Sequence, residues 1–256
     1  MLRHRRAVGH VESGVREVPQ PHGIARQDRG VSNPGDEPSN KDPYAEARRQ
    51  MVQHQLAARD VTDQRVLAAM QRVPRHLFVP NNLLSQAHAD GPLPIGHDQT
   101  ISQPYIVAIM SQLARTHEKA IALDVGTGSG YQAAVLGELC QHVYGIEIVQ
   151  ELADSARERL NNLGYRNITV RHGDGYRGWP EHAPFDVIIV AAAPEQIPQP
   201  LVDQLKPNGR MVIPVGKHHQ FLIVITKHAD GKVTQERVFP VSFVPMTGEA
   251  RKDGGR

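Results

Sequence analysis

At 256 residues the chain can hold one large α/β domain with a sizeable core, and a net charge of +2 offers no strong field for nucleic acid or a membrane surface. The single cysteine, Cys140, excludes an internal disulfide, and no apolar run approaches the length of a membrane span. The fourteen histidines are scattered without metal-ligand spacing, so no metal is expected, and with no secretion signal in the sequence the expected location is the cytoplasm.

The first 42 residues contain no aromatic side chain, several Pro and Gly, and mixed charges with many arginines. Such a composition cannot bury enough surface to offset ordering entropy, so residues 1–42 are expected to be a disordered extension. An arginine-rich targeting segment is the alternative, but Glu12, Glu17, Asp28, Asp36 and Glu37 argue against it. A folded domain is expected over 43–250 and a flexible tail over 251–256.

From Tyr44 the pattern changes. YAEARRQMVQHQLAARD reads as a helix with Met51, Val52, Gln55 and Leu56 near one face. Thr62 or Asp63 is placed to cap the next helix, DQRVLAAMQRV, which Pro74 follows. PRHLFVPNNL reads as a connection and GPLPIGHDQTIS as a Gly/Pro-rich loop, leading into a helix, QPYIVAIMSQLA. Beyond Ile121 strands and helices alternate. The strand candidates are IALDV, HVYGIEI, NITVRHGD, FDVIIVAAA, RMVIPVG, FLIVITK and VFPVSFVPM, with helices over 131–140, 150–163 and 196–205. That order predicts a doubly wound, mainly parallel seven-stranded α/β sheet. The last two strands lack an intervening helix, so an antiparallel strand is expected near the C-terminus.

The most informative stretch is IALDVGTGSGYQAAVLGELCQHVYGIEIVQ, a strand, a glycine turn, a helix and a second strand ending in an acid. This layout suits an adenosine-containing cofactor. Gly126, Gly128 and Gly130 let the backbone approach the ligand, and Glu147 stands 21 positions after Gly126, where a carboxylate can accept from ribose hydroxyls. Asp124, two residues before the first glycine, would repel a pyrophosphate and attract an ammonium group. S-adenosyl-L-methionine carries adenosine, an ammonium and no phosphate, so the loop reads as a methyl-donor site. A nicotinamide dinucleotide is the second reading, and a ligand-free α/β turn the third.

Ligands of open α/β sheets bind beyond the carboxyl ends of the strands, which directs attention to Asp174-Gly175 and to the small, apolar Ala191–Pro194 run. Asp174 can accept from the exocyclic amine of adenine or merely close an Asp-Gly turn. Ser102 opens the helix before the first sheet strand. Its default reading is an N-cap; the other is that Thr100 and Ser102 serve an anion such as a substrate carboxylate.

At these residues the chain resembles the protein-L-isoaspartate O-methyltransferase family. The resemblance runs from about Met51 to Gly248 and rests on VPRHLFVP, LPIGHDQTISQPYIVA, LDVGTGSGYQAAVL, VYGIEI, HGDGYRGWPEHAPFDVIIVAAAPEQIP, GRMVIPVG and FVPMTG. It implies a Rossmann-like class I methyltransferase fold, S-adenosyl-L-methionine as donor, and methylation of the free carboxylate of L-isoaspartyl residues in damaged proteins and peptides. It further implies that Ser102 is the active-site residue and that Thr100 and Ile101 line the same segment. Asp124, Gly126, Thr127, Gly128, Gly130, Glu147, Asp174, Gly175 and Thr247 would hold the cofactor. Asp98 departs from the pattern, since relatives often have glycine there. A monomer is expected. The rivals are a methyltransferase of RNA or small molecules, a nucleotide-dependent oxidoreductase, and a binding module. Five Phe, one Trp and a near-neutral charge argue against RNA.

Overall fold

The structure, a computed structural model, describes residues 42–253. The expectations for residues 1–41 and 254–256 lie outside the described residues. Asp42, at the expected boundary, accepts a hydrogen bond from Tyr44 N (2.9 Å) and pairs with Arg48 (2.8 Å).

The first helix, α1 (Ala45–Gln50), continues into a π-helical segment, Met51–Ala57. A π register brings residues five apart onto one face, which is how Met51 and Leu56 are both fully buried. Asp63 caps α2 (Gln64–Arg72), accepting from Arg65 N and Val66 N. Two 3₁₀ turns, Arg75–Phe78 and Asn81–Gln86, occupy the stretch expected to be a connection.

The Gly/Pro-rich segment expected to be a loop is instead a hairpin, β1 (Leu93–Gly96) against β2 (Gln99–Ile101). Its turn residues His97 and Asp98 have φ of 52° and 56°. Two left-handed residues are what a two-residue hairpin turn requires, and Asp is among the few non-glycine residues that enter this region without large cost. The departure at Asp98 therefore leaves the hairpin intact.

Helix α3 (Pro104–Leu113) follows, and then the main sheet: β3 (Ile121–Val125), α4 (Tyr131–Gly137), β4 (His142–Glu147), α5 (Gln150–Asn162), β5 (Ile168–His172), β6 (Phe185–Val190), α6 (Gln199–Asp203), β7 (Leu205–Val215), β8 (Gln220–Lys227) and β9 (Val233–Val241). The strand order is β5-β4-β3-β6-β7-β8-β9. The first five are parallel; β8 runs antiparallel to both β7 and β9. This is the expected sheet, with the expected reversal near the C-terminus.

Period-two alternation feeds both faces. Along β6, Val187 and Ile189 join a layer with α2, α3 and α4, whereas Ile188 and Val190 pack on the opposite side with Trp179, Leu201 and Met246; a register shift between Phe185 and Val187 puts Phe185 on that side too. The chain order reverses between β3 and β6, which opens a crevice at their carboxyl ends. Among the described residues no helix is long and apolar enough to cross a membrane.

Candidate active site

The crevice is a cleft whose floor is the glycine turn between β3 and α4. Gly126, Gly128 and Gly130 have φ of 82°, 51° and 90°. Gly128 carries a second constraint: a Cβ there would lie 3.3 Å from Ile95 Cδ1 of the hairpin. The turn is tied to the end of β4. Gly126 N and Thr127 N donate to the Ile146 carbonyl (2.8 and 3.2 Å), and Gly128 N donates to Glu147 Oε2 (2.7 Å). The other oxygen of Glu147 accepts from Val149 N (3.0 Å). A buried carboxylate thus fixes both the turn and the start of α5, with lone pairs left for a ligand.

Asp124 is fully buried at the end of β3, and among the described residues neither carboxylate oxygen has a hydrogen-bond partner. Thr127 Oγ1 donates weakly to the Asp124 backbone carbonyl (3.3 Å), not to the carboxylate. Burial pushes the Asp124 carboxyl up to about 7; the nearby Thr127 hydroxyl opposes the shift and the charge of Glu147 adds to it. An unpartnered buried acid is costly unless something outside the protein pairs with it.

Asp174 does close an Asp-Gly turn, accepting from Tyr176 N (3.0 Å). Its second oxygen accepts from Glu249 N (2.8 Å), which draws the C-terminal segment across the cleft. Gly175 is required by space, since a Cβ would fall 2.5 Å from Val125 Cγ1. The same C-terminal segment is stitched to the end of β6, with Ala193 N donating to Val244 O and Met246 N to Ala193 O (2.8 Å each). Gln220 grips it from β8, exchanging two hydrogen bonds with the backbone of Phe243 (2.6 and 3.0 Å).

The opposite wall is the hairpin and the start of α3. Ser102 is not the N-cap of α3. That position belongs to Gln103, whose side chain makes no cap, and Pro104 opens the first turn. Among the described residues no hydrogen bond occupies the Ser102 hydroxyl. Its backbone is held instead, because the fully buried Arg75 donates to Ser102 O and to Ala87 O (2.8 Å each) and stacks on Tyr131. Ser102 lines the main cleft and also a second, adjoining cavity bounded by Pro92, Ile106, Ser242 and Phe243.

A cleft at the switch point, a glycine turn, an orphaned acid and a free serine hydroxyl can be set beside known proteins. Residues 46–251 match the model of the protein-L-isoaspartate(D-aspartate) O-methyltransferase family. The chain belongs to that family. A protein-L-isoaspartate O-methyltransferase of Synechococcus sp. is 53% identical over 217 residues, covering 82% of this chain and 88% of its own. One from Gloeobacter violaceus is 57% identical over 201 residues, covering 78% and 98%. Among solved structures, a protein-L-isoaspartate O-methyltransferase superposes with TM-score 0.73 at 26% identity, over 79% of this chain and 67% of the other. A putative one from Plasmodium falciparum, in complex with S-adenosyl-L-homocysteine, gives 0.69 at 27%, over 78% and 98%.

Of the residues read from the sequence, Thr100, Ile101, Ser102, Gly126, Thr127, Gly128, Glu147, Asp174, Gly175 and Thr247 line the cleft. Asp124 and Gly130 stand behind it: Asp124 is buried next to the lining residue Val125, and a Cβ at Gly130 would point to Leu160. Sequence reasoning missed Gln132 on α4, Val107 on α3, and Val244–Met246. It also missed Ile148, 37% exposed directly after Glu147, where an apolar side chain in water is itself a signal of a ligand face.

Proposed function

We propose that Ser102 positions the carboxylate of an L-isoaspartyl residue while Asp124, Glu147, Asp174 and the glycine turn hold the methyl donor, in the reaction of the family: methyl transfer from S-adenosyl-L-methionine to that carboxylate. The observation that carries this reading is the Ser102 hydroxyl, committed to no cap and standing where the two cavities meet.

The lining chemistry supports the donor. Among the described residues the only charged side chains lining the cleft are Glu147 and Asp174, and Asp124 lies just behind them. Acids beside the glycine turn would repel a pyrophosphate laid on the N-terminus of α4, which disfavours a dinucleotide. An ammonium-bearing, phosphate-free ligand meets the orphaned Asp124 carboxylate. The bound donor supplies a methyl group on a sulfonium, already activated for in-line displacement.

Little acid–base chemistry is asked of the protein. A substrate carboxylate, with a reference pKa of roughly 3.5, is ionised at neutral pH and needs no general base. No histidine lines the cleft among the described residues. What the residues provide is alignment and partial desolvation, an effect that reaches up to roughly 7–11 kcal/mol in well-oriented systems. Ser102 donates to one carboxylate oxygen and leaves the other to attack. The Arg75–Ser102 backbone bond keeps that hydroxyl in place. The backbone nitrogen of the next substrate residue then attacks the methyl ester without the enzyme, expelling methanol to form a succinimide, and hydrolysis returns part of it to normal aspartate. Isoaspartyl-containing proteins and peptides are thereby the partners.

The test offers labelled S-adenosyl-L-methionine with an isoaspartyl peptide and its normal-aspartyl twin, and measures base-labile methyl ester. Only the isoaspartyl peptide is methylated. Ser102→Ala lowers kcat/KM by about ten- to a hundred-and-fifty-fold, the worth of a hydrogen bond to a charged group. Thermal stability stays put, since no helix cap is lost. Unchanged kcat/KM in the folded variant would return Ser102 to a bystander.

A further inference from the structure

One polar side chain of the cleft has no task in this scheme. Gln132 lies in the first turn of α4, is 8% exposed and lines the cleft. Its amide orientation is dictated by a short relay. Ser111 Oγ is 2.8 Å from the Val107 carbonyl, one turn earlier on α3. A carbonyl only accepts, so the single hydroxyl hydrogen of Ser111 is committed to it. Gln132 Nε2 is 3.0 Å from the same Oγ. Ser111 can therefore only accept from Gln132, and the NH₂ end of the amide must face Ser111. The flipped amide would set two acceptors against each other. The Gln132 carbonyl oxygen is left without a hydrogen-bond partner among the described residues, and it is not among the fully occluded unpartnered atoms.

We infer that Gln132 presents this oxygen to the cleft as a neutral acceptor for the ammonium of the bound donor's amino-acid end. The inference rests on the methyl-donor reading above. Position selects the ammonium. Glu147 and Asp174 stand at the ends of β4 and β5, where this reading puts ribose and adenine, whereas Gln132 is tied to α3 through Ser111 and lines the cleft with Val107. The relay also fastens α3, which begins just after Ser102, to α4, which follows the glycine turn. One rigid unit then sets both the substrate-holding and the donor-holding residues.

The test is calorimetric and needs no turnover. S-adenosylhomocysteine and 5′-methylthioadenosine, which lacks the amino-acid end, are titrated into the full-length wild type, Gln132→Met and Ser111→Ala. Gln132→Met keeps the length and removes the acceptor. It weakens S-adenosylhomocysteine by about tenfold, the lower end for a hydrogen bond to a charged group, and leaves 5′-methylthioadenosine within about twofold. Ser111→Ala releases the amide to rotate, and its effect runs in the same direction but smaller. Equal losses for both ligands mean a packing role and overturn the inference. So does unchanged S-adenosylhomocysteine affinity, with or without a raised KM for peptide. If Gln132→Met does not fold, the Ser111→Ala selectivity decides in the same way. Failure of the wild type to bind either ligand overturns the donor reading itself.

Discussion

The wall of the cleft formed by the ends of β3, β4 and β5 is lined by two acids, with the buried Asp124 behind them and no cation among the described residues, whereas the wall formed by the hairpin, the start of α3 and residues 244–247 is lined by hydroxyls and apolar groups without formal charge. The acid wall is anchored to its own backbone. Glu147 and Asp174 each hold two main-chain amides, and Asp124 alone is left without a partner. The hydroxyl wall is fixed through main-chain atoms, by Arg75 on Ser102 and Gln220 on Phe243, which leaves the hydroxyls of Thr100 and Ser102 uncommitted among the described residues. One wall selects by charge and the other by geometry. The difference suits a cationic donor facing an anionic acceptor.

The largest break in this contrast is Asp124→Asn. Removing the charged partner of a buried ion pair costs about 3–5 kcal/mol, so S-adenosyl-L-methionine affinity falls by more than about a hundredfold in a calorimetric titration. The ligand-free protein gains in return. Its Asp124 carboxyl titrates at about 7 in the fold against the usual 3.8. Between those values the native state holds a proton that the unfolded state has released, so this group lowers stability as pH rises from about 4 to 7. The asparagine variant lacks that decline and outlasts the wild type in denaturant titrations above neutrality. The same shift makes wild-type donor affinity climb through about pH 7, with proton release visible in buffers of different ionisation enthalpy. A pH-independent affinity would show that the carboxylate is not what meets the donor.

Next in size is Glu147→Ala, expected to weaken donor binding by about 1.5–3 kcal/mol. Gly128 N and Val149 N lose their acceptor together with the ligand. Glu147→Gln keeps one acceptor oxygen and costs less. Equal losses in the two variants would mean that the charge, rather than the backbone tie, carries the effect.

The smallest change tests the hydroxyl wall. Asp98→Gly relieves a left-handed φ at the hairpin tip but loosens the unfolded chain, so stability moves by no more than about 1 kcal/mol and kcat/KM stays level. A large loss of activity would give the Asp98 carboxylate a part in the chemistry.

How legible each wall was in the sequence follows from the same contrast. The acid wall lies on parallel strands of which β3 and β4 are mostly buried, so that their apolar runs and terminal acids can be read directly, while β5 at the sheet edge is half exposed. IALDV, HVYGIE and FDVIIV are strands close to where composition places them. The hydroxyl wall rests on strands of four and three residues containing Pro and Gly, too short to carry a period, so the hairpin read as a loop. From the bare residues the default for Ser102 is a cap, because Ser followed by Gln and Pro at a helix start has that pattern, and only the resemblance gives it the active-site role; the backbone conformation assigns the cap to Gln103. Gln132 carries no local signal at all. Its importance comes from Ser111, 21 residues earlier, which the packing of α3 on α4 brings beside it.

The strap over the cleft has a consequence for how the molecule comes into being. The β3–β4 pairing joins residues about twenty apart, as in Ile121 with His142, but β3 must wait for β6, where Ala122 meets Val187. The roof comes later still, since Met246 N bonds Ala193 and Glu249 N bonds Asp174. During synthesis, which runs at about 5–20 residues per second, the glycine turn and its helix emerge many residues before the segment that covers them. A nascent chain therefore exposes its glycine turn in an open cleft. The cleft is roofed only once residues 244–249 have been made and can bond Ala193 and Asp174, so its enclosure is a late step of assembly.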